Sequence, residues 1–311
     1  MSWLDDGRSI GDVSTAAQTH YGTPLDVSDF VGELHQLGFL ATSTAHHGSA
    51  RLRPAAYVET RRQAWWWRGF VFVAVLSGTY ALVGLLLGEV PVPSGGSLFP
   101  KTVPLEWALL LPILVATATG ALHEFAHFAV ARTYGLRPRV RLSRRGPWFV
   151  AQTDMPGIWS LPLSLQLRAV AAGAMVDLIL LGACTAAIQT APTSTMIGTT
   201  IALTAFAAIF LRLLWQLQWN LRTDAYFLLT LAAGSPNLRE SGRRWAREHV
   251  RRRHYVPVRD HRPMALPRRE ARAAAAYALS LPLAFTGSVA FGAWIVVTAT
   301  ARLHELLGGV L

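Results

Sequence analysis

Apolar residues in this chain gather into long runs separated by short basic stretches. The runs cover about 66–88, 104–134, 161–190, 196–218 and 273–300, each long enough for a helix to cross a hydrocarbon core of about 30 Å. A further apolar segment after Trp219-Asn220-Leu221-Arg222-Thr223-Asp224 ends near residue 233 and is too short to span unbroken. The pattern predicts an all-α polytopic membrane protein. The 104–134 run is longer than a perpendicular span needs, so tilt or a break is expected there. Two stretches have other periods. Residues 135–160 alternate in Val140-Arg141-Leu142 and Trp148-Phe149-Val150-Ala151, which predicts a short hairpin at the membrane surface. In residues 1–45, Ile10, Val13, Ala16 and Ala17 recur at helical spacing before Gly22-Thr23-Pro24. A second helix is predicted after a cap at Asp26 or Ser28, with Val27, Phe30, Val31, Leu34 and Leu37 on its apolar side and Gly38 at its end.

Composition agrees with a bilayer. Of 311 residues, 52% are hydrophobic and only 15% charged. The net charge of +11 would point to nucleic acid in a soluble domain. Here the arginines lie between apolar runs instead, as they do in cytoplasmic loops, and no nucleic-acid partner is expected. Arg51, Arg53, Arg61 and Arg62 mark a linker over 46–65, and Trp65-Trp66-Trp67 marks a membrane interface. Arg137, Arg139, Arg141, Arg144 and Arg145 mark the hairpin, and 239–272 holds twelve arginines against four acids. The loop 89–103 carries only Glu89 and Lys101, so it is expected outside and the N-terminus in the cytoplasm. No basic-then-apolar signal opens the chain, in keeping with a cytoplasmic N-terminus. The basic 239–272 segment is expected to contact anionic lipid. Cys184 is the single cysteine, which excludes an internal disulfide and a cysteine-rich metal site. The expected division is a module at 1–45, a basic linker at 46–65, a membrane core at 66–238, a basic segment at 239–272 and a last helix with its tail at 273–311. Oligomerisation stays open.

The chemistry concentrates in Gly120-Ala121-Leu122-His123-Glu124-Phe125-Ala126-His127. Residues four apart share a helix face, so His123 and His127 can direct two imidazoles at one Zn²⁺, with Glu124 beside them. Ionisable groups at membrane depth are costly and mark function. A catalytic zinc takes three protein ligands and keeps one position open. Asp177 and Asp224 are the candidates for the third. Asp224 is slightly favoured, because its flank breaks the helical pattern and basic loops place it at the depth of the histidines. Ala171-Ala172-Gly173-Ala174 reads as a close-packing patch.

H-E-x-x-H in an early long span, with an aspartate in a broken segment about 100 residues later, resembles the site-2 protease family of intramembrane zinc metalloproteases. The likeness is nearest to its bacterial peptide zinc metalloprotease branch, whose second motif looks like Arg-Thr-Asp-Gly-Tyr-Phe-Leu-Leu. Here Arg222-Thr223-Asp224-Ala225-Tyr226-Phe227-Leu228-Leu229 stands in that place, and Ser235-Pro236-Asn237-Leu238-Arg239 also resembles the stretch just beyond that motif in the branch. The resemblance covers about 100–245. It implies zinc on His123, His127 and Asp224, Glu124 as general base, a site-2-protease-like helical core and a place in the bacterial cytoplasmic membrane. Ala225 departs from the family's glycine. Asn220 and Asp177 could orient substrate or hydrogen-bond a developing oxyanion. The N-terminal order Leu4-Asp5-Asp6-Gly7-Arg8-Ser9-Ile10, helix, Tyr21-Gly22, helix, Leu37-Gly38-Phe39-Leu40 resembles the C-terminal two-thirds of a PqqD-like, winged-helix RiPP recognition element. That element holds the leader of a ribosomally made, modified peptide; its preceding strands are missing here. Together the resemblances imply a metalloprotease that removes such a leader at the cytoplasmic side. The alternatives are cleavage of a membrane-tethered regulator and a non-catalytic zinc-bearing export or immunity partner.

Overall fold

A computed structural model describes residues 61–100, 102–145, 148–191, 196–235, 237–252 and 268–308. The module expected at 1–45 lies outside the described residues, as does the linker up to residue 60. The described elements are α1 (Arg61–Leu86), the short α2 (Gly95–Leu98), α3 (Leu105–Thr133), β1 (Arg139–Arg145), β2 (Trp148–Asp154), α4 (Leu163–Thr190), α5 (Met196–Gln216), α6 (Asp224–Ala233), α7 (Leu238–Arg252) and α8 (Arg268–Gly308). The helices α1, α3, α4, α5 and α8 are each long and apolar enough to cross a membrane. This is a mainly helical, multi-pass membrane architecture. Helix α1 begins inside the expected linker, and α8 begins five residues before the expected last span. Each extension carries arginines, whose long stems keep helical backbone compatible with the interface.

Helix α4 occupies the centre, packing against α1, α3, α5 and α6. Its residues are small where neighbours come close. A β-carbon on Gly182 would stand 2.6 Å from Ser77 Cβ and 2.8 Å from the Ser77 carbonyl, so α1 and α4 nearly touch backbone to backbone. Ala81, Val90, Leu181, Phe206 and Ile209 fill the space between α1, α4 and α5. At the other end Arg168 places its guanidinium 5.8 Å from the centre of the Trp67 ring, joining α4 to the tryptophan belt of α1. Helix α3 is unbroken over 29 residues despite Pro112 inside it, so its excess length is not relieved by a break.

The hairpin is antiparallel, with Arg139 opposite Asp154 and Arg145 opposite Trp148. Thr153 fastens it to α3. Its backbone N–H donates to Glu124 Oε2 at 2.6 Å, and its hydroxyl donates to the Glu124 carbonyl at 3.0 Å.

Between α5 and α6 the helical path stops. Trp219–Leu221 form one 3₁₀ turn, and Arg222 adopts left-handed backbone (φ 57°). Thr223 is fully buried and donates its hydroxyl to the Gln216 carbonyl at 2.6 Å, satisfying an orphan acceptor of the α5 terminus. Helix α6 restarts at Asp224 and ends at Gly234, also left-handed. The packing generates a prediction. Gly182→Ala overfills the α1–α4 contact and lowers stability by about 1–3 kcal/mol. Gly198→Ala, where a β-carbon meets nothing within 4 Å in a helix, leaves it unchanged or raises it by up to about 1 kcal/mol. Thermal unfolding in detergent compares the two.

Candidate metal centre

His123 and His127 stand one turn apart on α3, 1% and 4% exposed, with ring centres 4.9 Å apart. Each ring is fixed through its Nδ1. His127 Nδ1 lies 2.8 Å from the Ala169 carbonyl, which can only accept, so this nitrogen carries the proton. His123 Nδ1 lies 2.8 Å from Asp177 Oδ2. That carboxylate also accepts from Arg212 Nε at 3.1 Å and Nη2 at 2.6 Å. Asp177 is thus held as an acceptor, and His123 donates to it. In the neutral form of each ring this leaves the Nε2 lone pair free, and the two Nε2 atoms stand 3.2 Å apart. The α5–α6 break brings in a third acceptor: Asp224 Oδ2 lies 3.1 Å from each Nε2.

Three acceptor atoms facing one another in a buried space repel unless positive charge, a proton or a metal ion, sits among them. The geometry fits one. Ligand bonds of about 2.0–2.1 Å in a tetrahedron place ligand atoms roughly 3.3 Å apart. Among the described residues, His123, His127 and Asp224 form the group whose ligand atoms all lie within 4.8 Å of one another. Helix α4 leaves room at the same point. A β-carbon on Gly173 would stand 2.4 Å from His127 Nε2 and 2.5 Å from His123 Nε2. The glycine of the close-packing patch therefore clears the space in front of both imidazoles.

Glu124 is half-buried and faces a cavity of about 1350 Å³ that also takes in His123, His127, Thr153, Asn220 and Asp224. The cavity is walled by α3, β2, α5, α6 and α8. The two remaining sequence candidates are engaged elsewhere. Asp177 is fully buried behind His123, orienting its ring rather than joining the three converging atoms. Asn220 donates to Ser288 Oγ on α8 at 3.0 Å, on the cavity wall. Ala225 sits in the first turn of α6 with ordinary backbone, where alanine is favoured over glycine by about 1 kcal/mol.

Three contributors do not stand out in the sequence reading. Gln216 accepts the Asp224 N–H on Oε1 at 3.1 Å and turns its Nε2 to within 3.3 Å of His123 Nε2, placing an amide NH₂ at the focus of the site. Thr153 holds Glu124. Arg212 neutralises Asp177 and donates to Thr119 Oγ1 at 3.0 Å, tying α3, α4 and α5 together. Arg212 carries a legible signal: an arginine inside an apolar run needs a buried anion, and Asp177 lies in the adjacent run. Gln216 and Thr153 carry none, because both act through contacts between distant segments.

No protein-family model, curated protein or solved structure matches the chain. The site stands on its own geometry.

Gly173→Ala places a methyl among the ligand atoms and is expected to abolish stoichiometric metal binding while leaving the circular-dichroism helix signal intact. Arg212→Leu strands the Asp177 carboxylate and costs about 3–5 kcal/mol, and the double variant Arg212→Leu/Asp177→Leu recovers part of that loss. Metal analysis and thermal unfolding read the two effects.

Proposed function

We propose that the chain is a membrane-embedded zinc metalloprotease with a site-2-protease-like core. The carrying observation is the convergence of three potential ligand atoms, His123 Nε2, His127 Nε2 and Asp224 Oδ2, with the Glu124 carboxylate on the wall of the same cavity. The donor set suits zinc, which accepts imidazole and carboxylate in a tetrahedron with one open position. Held there, zinc would supply a Lewis acid for a peptide carbonyl and activate water near neutral pH.

The chain's own residues supply the rest. Glu124 takes the proton of the attacking water and returns it to the leaving amine. The Gln216 NH₂ faces the focus of the site and is placed to donate to an oxyanion developing there. Asp177 and the Ala169 carbonyl keep both imidazoles turned inward. Thr153 sends its N–H out of the ladder toward Glu124, so the unpaired edge of β2 faces the catalytic helix. Strand alternation puts the Ala151 amide on that same edge. An extended peptide adding to it would run into the site.

The substrate is a peptide segment at the cytoplasmic side of the bacterial cell membrane, with the chain's N-terminus in the cytoplasm. Arg132 lies five residues beyond His127, and the basic α7 shares that side under the positive-inside rule. The leader of a ribosomally made, modified peptide is the substrate class we favour, on the N-terminal likeness to a recognition element.

Glu124→Gln keeps metal at the wild-type ratio and lowers cleavage of a co-expressed peptide at least about a hundredfold, the scale of a lost general base. Asp224→Ala loses the metal as well. Cleavage undiminished in Glu124→Gln overturns the protease reading. Full metal occupancy in Asp224→Ala overturns the ligand set.

A further inference from the structure

The cavity beside the metal centre carries a carboxylate that the proposed chemistry does not use. Among the described residues, its titratable lining is His123, Glu124, His127, Asp154, Arg212 and Asp224. The two histidines and Asp224 converge on one another, Thr153 holds Glu124, and Arg212 is engaged by Asp177. Asp154 is left. It closes strand β2, one residue beyond Thr153. Its side chain is 45% exposed and meets Arg141 Nε at 3.7 Å, a surface pair of little energy.

The strand register places Asp154 against a bound peptide. Thr153 and Val140 are cross-strand partners, yet the Thr153 N–H points away from β1 to Glu124 Oε2. Alternation then turns the Ala151 and Thr153 backbone groups to the free edge. A peptide added antiparallel to that edge would bond to Ala151 and to the Thr153 carbonyl. Its residues opposite Gln152 and Asp154 would form non-hydrogen-bonded pairs, in which Cα atoms approach to about 4.5 Å and side chains stand closest. The Glu124 carboxylate sits on the Thr153 N–H, so the peptide bond it serves lies at this end of the strand. Asp154 therefore faces the residue at or next to that bond.

Two charge effects compete at this position. Arg139 and Arg141 lie on the same sheet face, opposite Asp154 and Gln152. They belong to β1, so a peptide strand would stand two strand spacings away from them, roughly 9–10 Å. That exceeds the Debye length of about 8 Å at physiological salt. Arg141 is also 60% exposed, and neither arginine lines the cavity. Asp154 acts from half that separation, so its charge dominates.

We propose that Asp154 is a specificity-determining residue that selects a lysine or arginine side chain at or next to the scissile bond. The inference rests on the protease reading and deepens it by giving the substrate a chemical mark. A peptide acid at the same position would face a like charge across the pair, which is destabilising.

The test gives full-length, metal-loaded protein in neutral detergent a set of synthetic peptides. Each is built of mixed uncharged residues, with a single Lys, Gln or Glu walked along it, and cut sites are read by mass spectrometry. Wild type is expected to favour Lys over Glu about tenfold at one position within two residues of the cleaved bond. Asp154→Asn flattens that ratio, and Asp154→Lys inverts it in favour of Glu. Arg141→Gln keeps or raises the Lys preference. Binding of the same peptides to metal-loaded Glu124→Gln, read by fluorescence anisotropy, separates recognition from chemistry. Lys peptides are expected to bind more tightly than Glu peptides, and Asp154→Lys/Glu124→Gln to reverse the order. Metal content at the wild-type ratio reports folding of each variant. Equal treatment of Lys and Glu, a Lys preference unchanged in Asp154→Lys, or a Glu preference that disappears in Arg141→Gln overturns the proposal and leaves the protease reading intact. A binding order that follows Asp154 while wild type cuts none of the peptides supports selection by Asp154 and counts against the protease reading instead.

Discussion

Three acceptor lone pairs pointed at one spot inside an apolar protein are tolerable only around positive charge. His123, His127 and Asp224 are in that position, and much of the surrounding packing serves to hold them there. Helix α3 supplies the two imidazoles at one-turn spacing. Helix α4 supplies the acceptors that turn the rings, Asp177 and the Ala169 carbonyl, and at Gly173 the empty volume in front of them. The α5–α6 break supplies the carboxylate. Each element contributes something that fails without the others, which accounts for the central place of α4 in the bundle.

Charge inside the membrane region is balanced locally. Asp177 alone would be an expensive buried anion, and Arg212 alone an expensive cation. Paired through two hydrogen bonds they make a neutral unit that still presents an oxygen to His123. The backbone at the break is treated the same way. Thr223 and Gln216 satisfy carbonyl and N–H groups that an interrupted helix would otherwise leave open in lipid.

Much of this is legible in the chain. Apolar run length reveals the five long helices, and alternation around Val140-Arg141-Leu142 reveals the hairpin. Spacing reveals that His123 and His127 share a face. Residue type leaves Asp177 and Asp224 both open as third ligand, because both are aspartates in apolar surroundings. The broken flank tilts the choice to Asp224, and the fold gives the reason: its backbone restarts a helix at the histidines, whereas Asp177 approaches the back of an imidazole. The same limit hides Gln216 and Thr153, whose partners are 93 and 29 residues away. Gly173 reads as helix packing in the sequence, and its neighbours prove to be imidazole rings rather than backbone. Boundaries shift where arginines extend α1 and α8 past their apolar runs, since helix continues where hydrophobicity stops.

The proposed centre is a zinc held by two imidazoles and one carboxylate with a position open to water. X-ray absorption at the zinc edge of the metal-loaded, full-length protein addresses it most directly. One zinc per chain is expected, with four nitrogen or oxygen neighbours at about 2.0–2.2 Å, two of them showing the outer-shell scattering of imidazole. A six-coordinate all-oxygen shell, a single imidazole, or no zinc retained by the wild-type chain would contradict it.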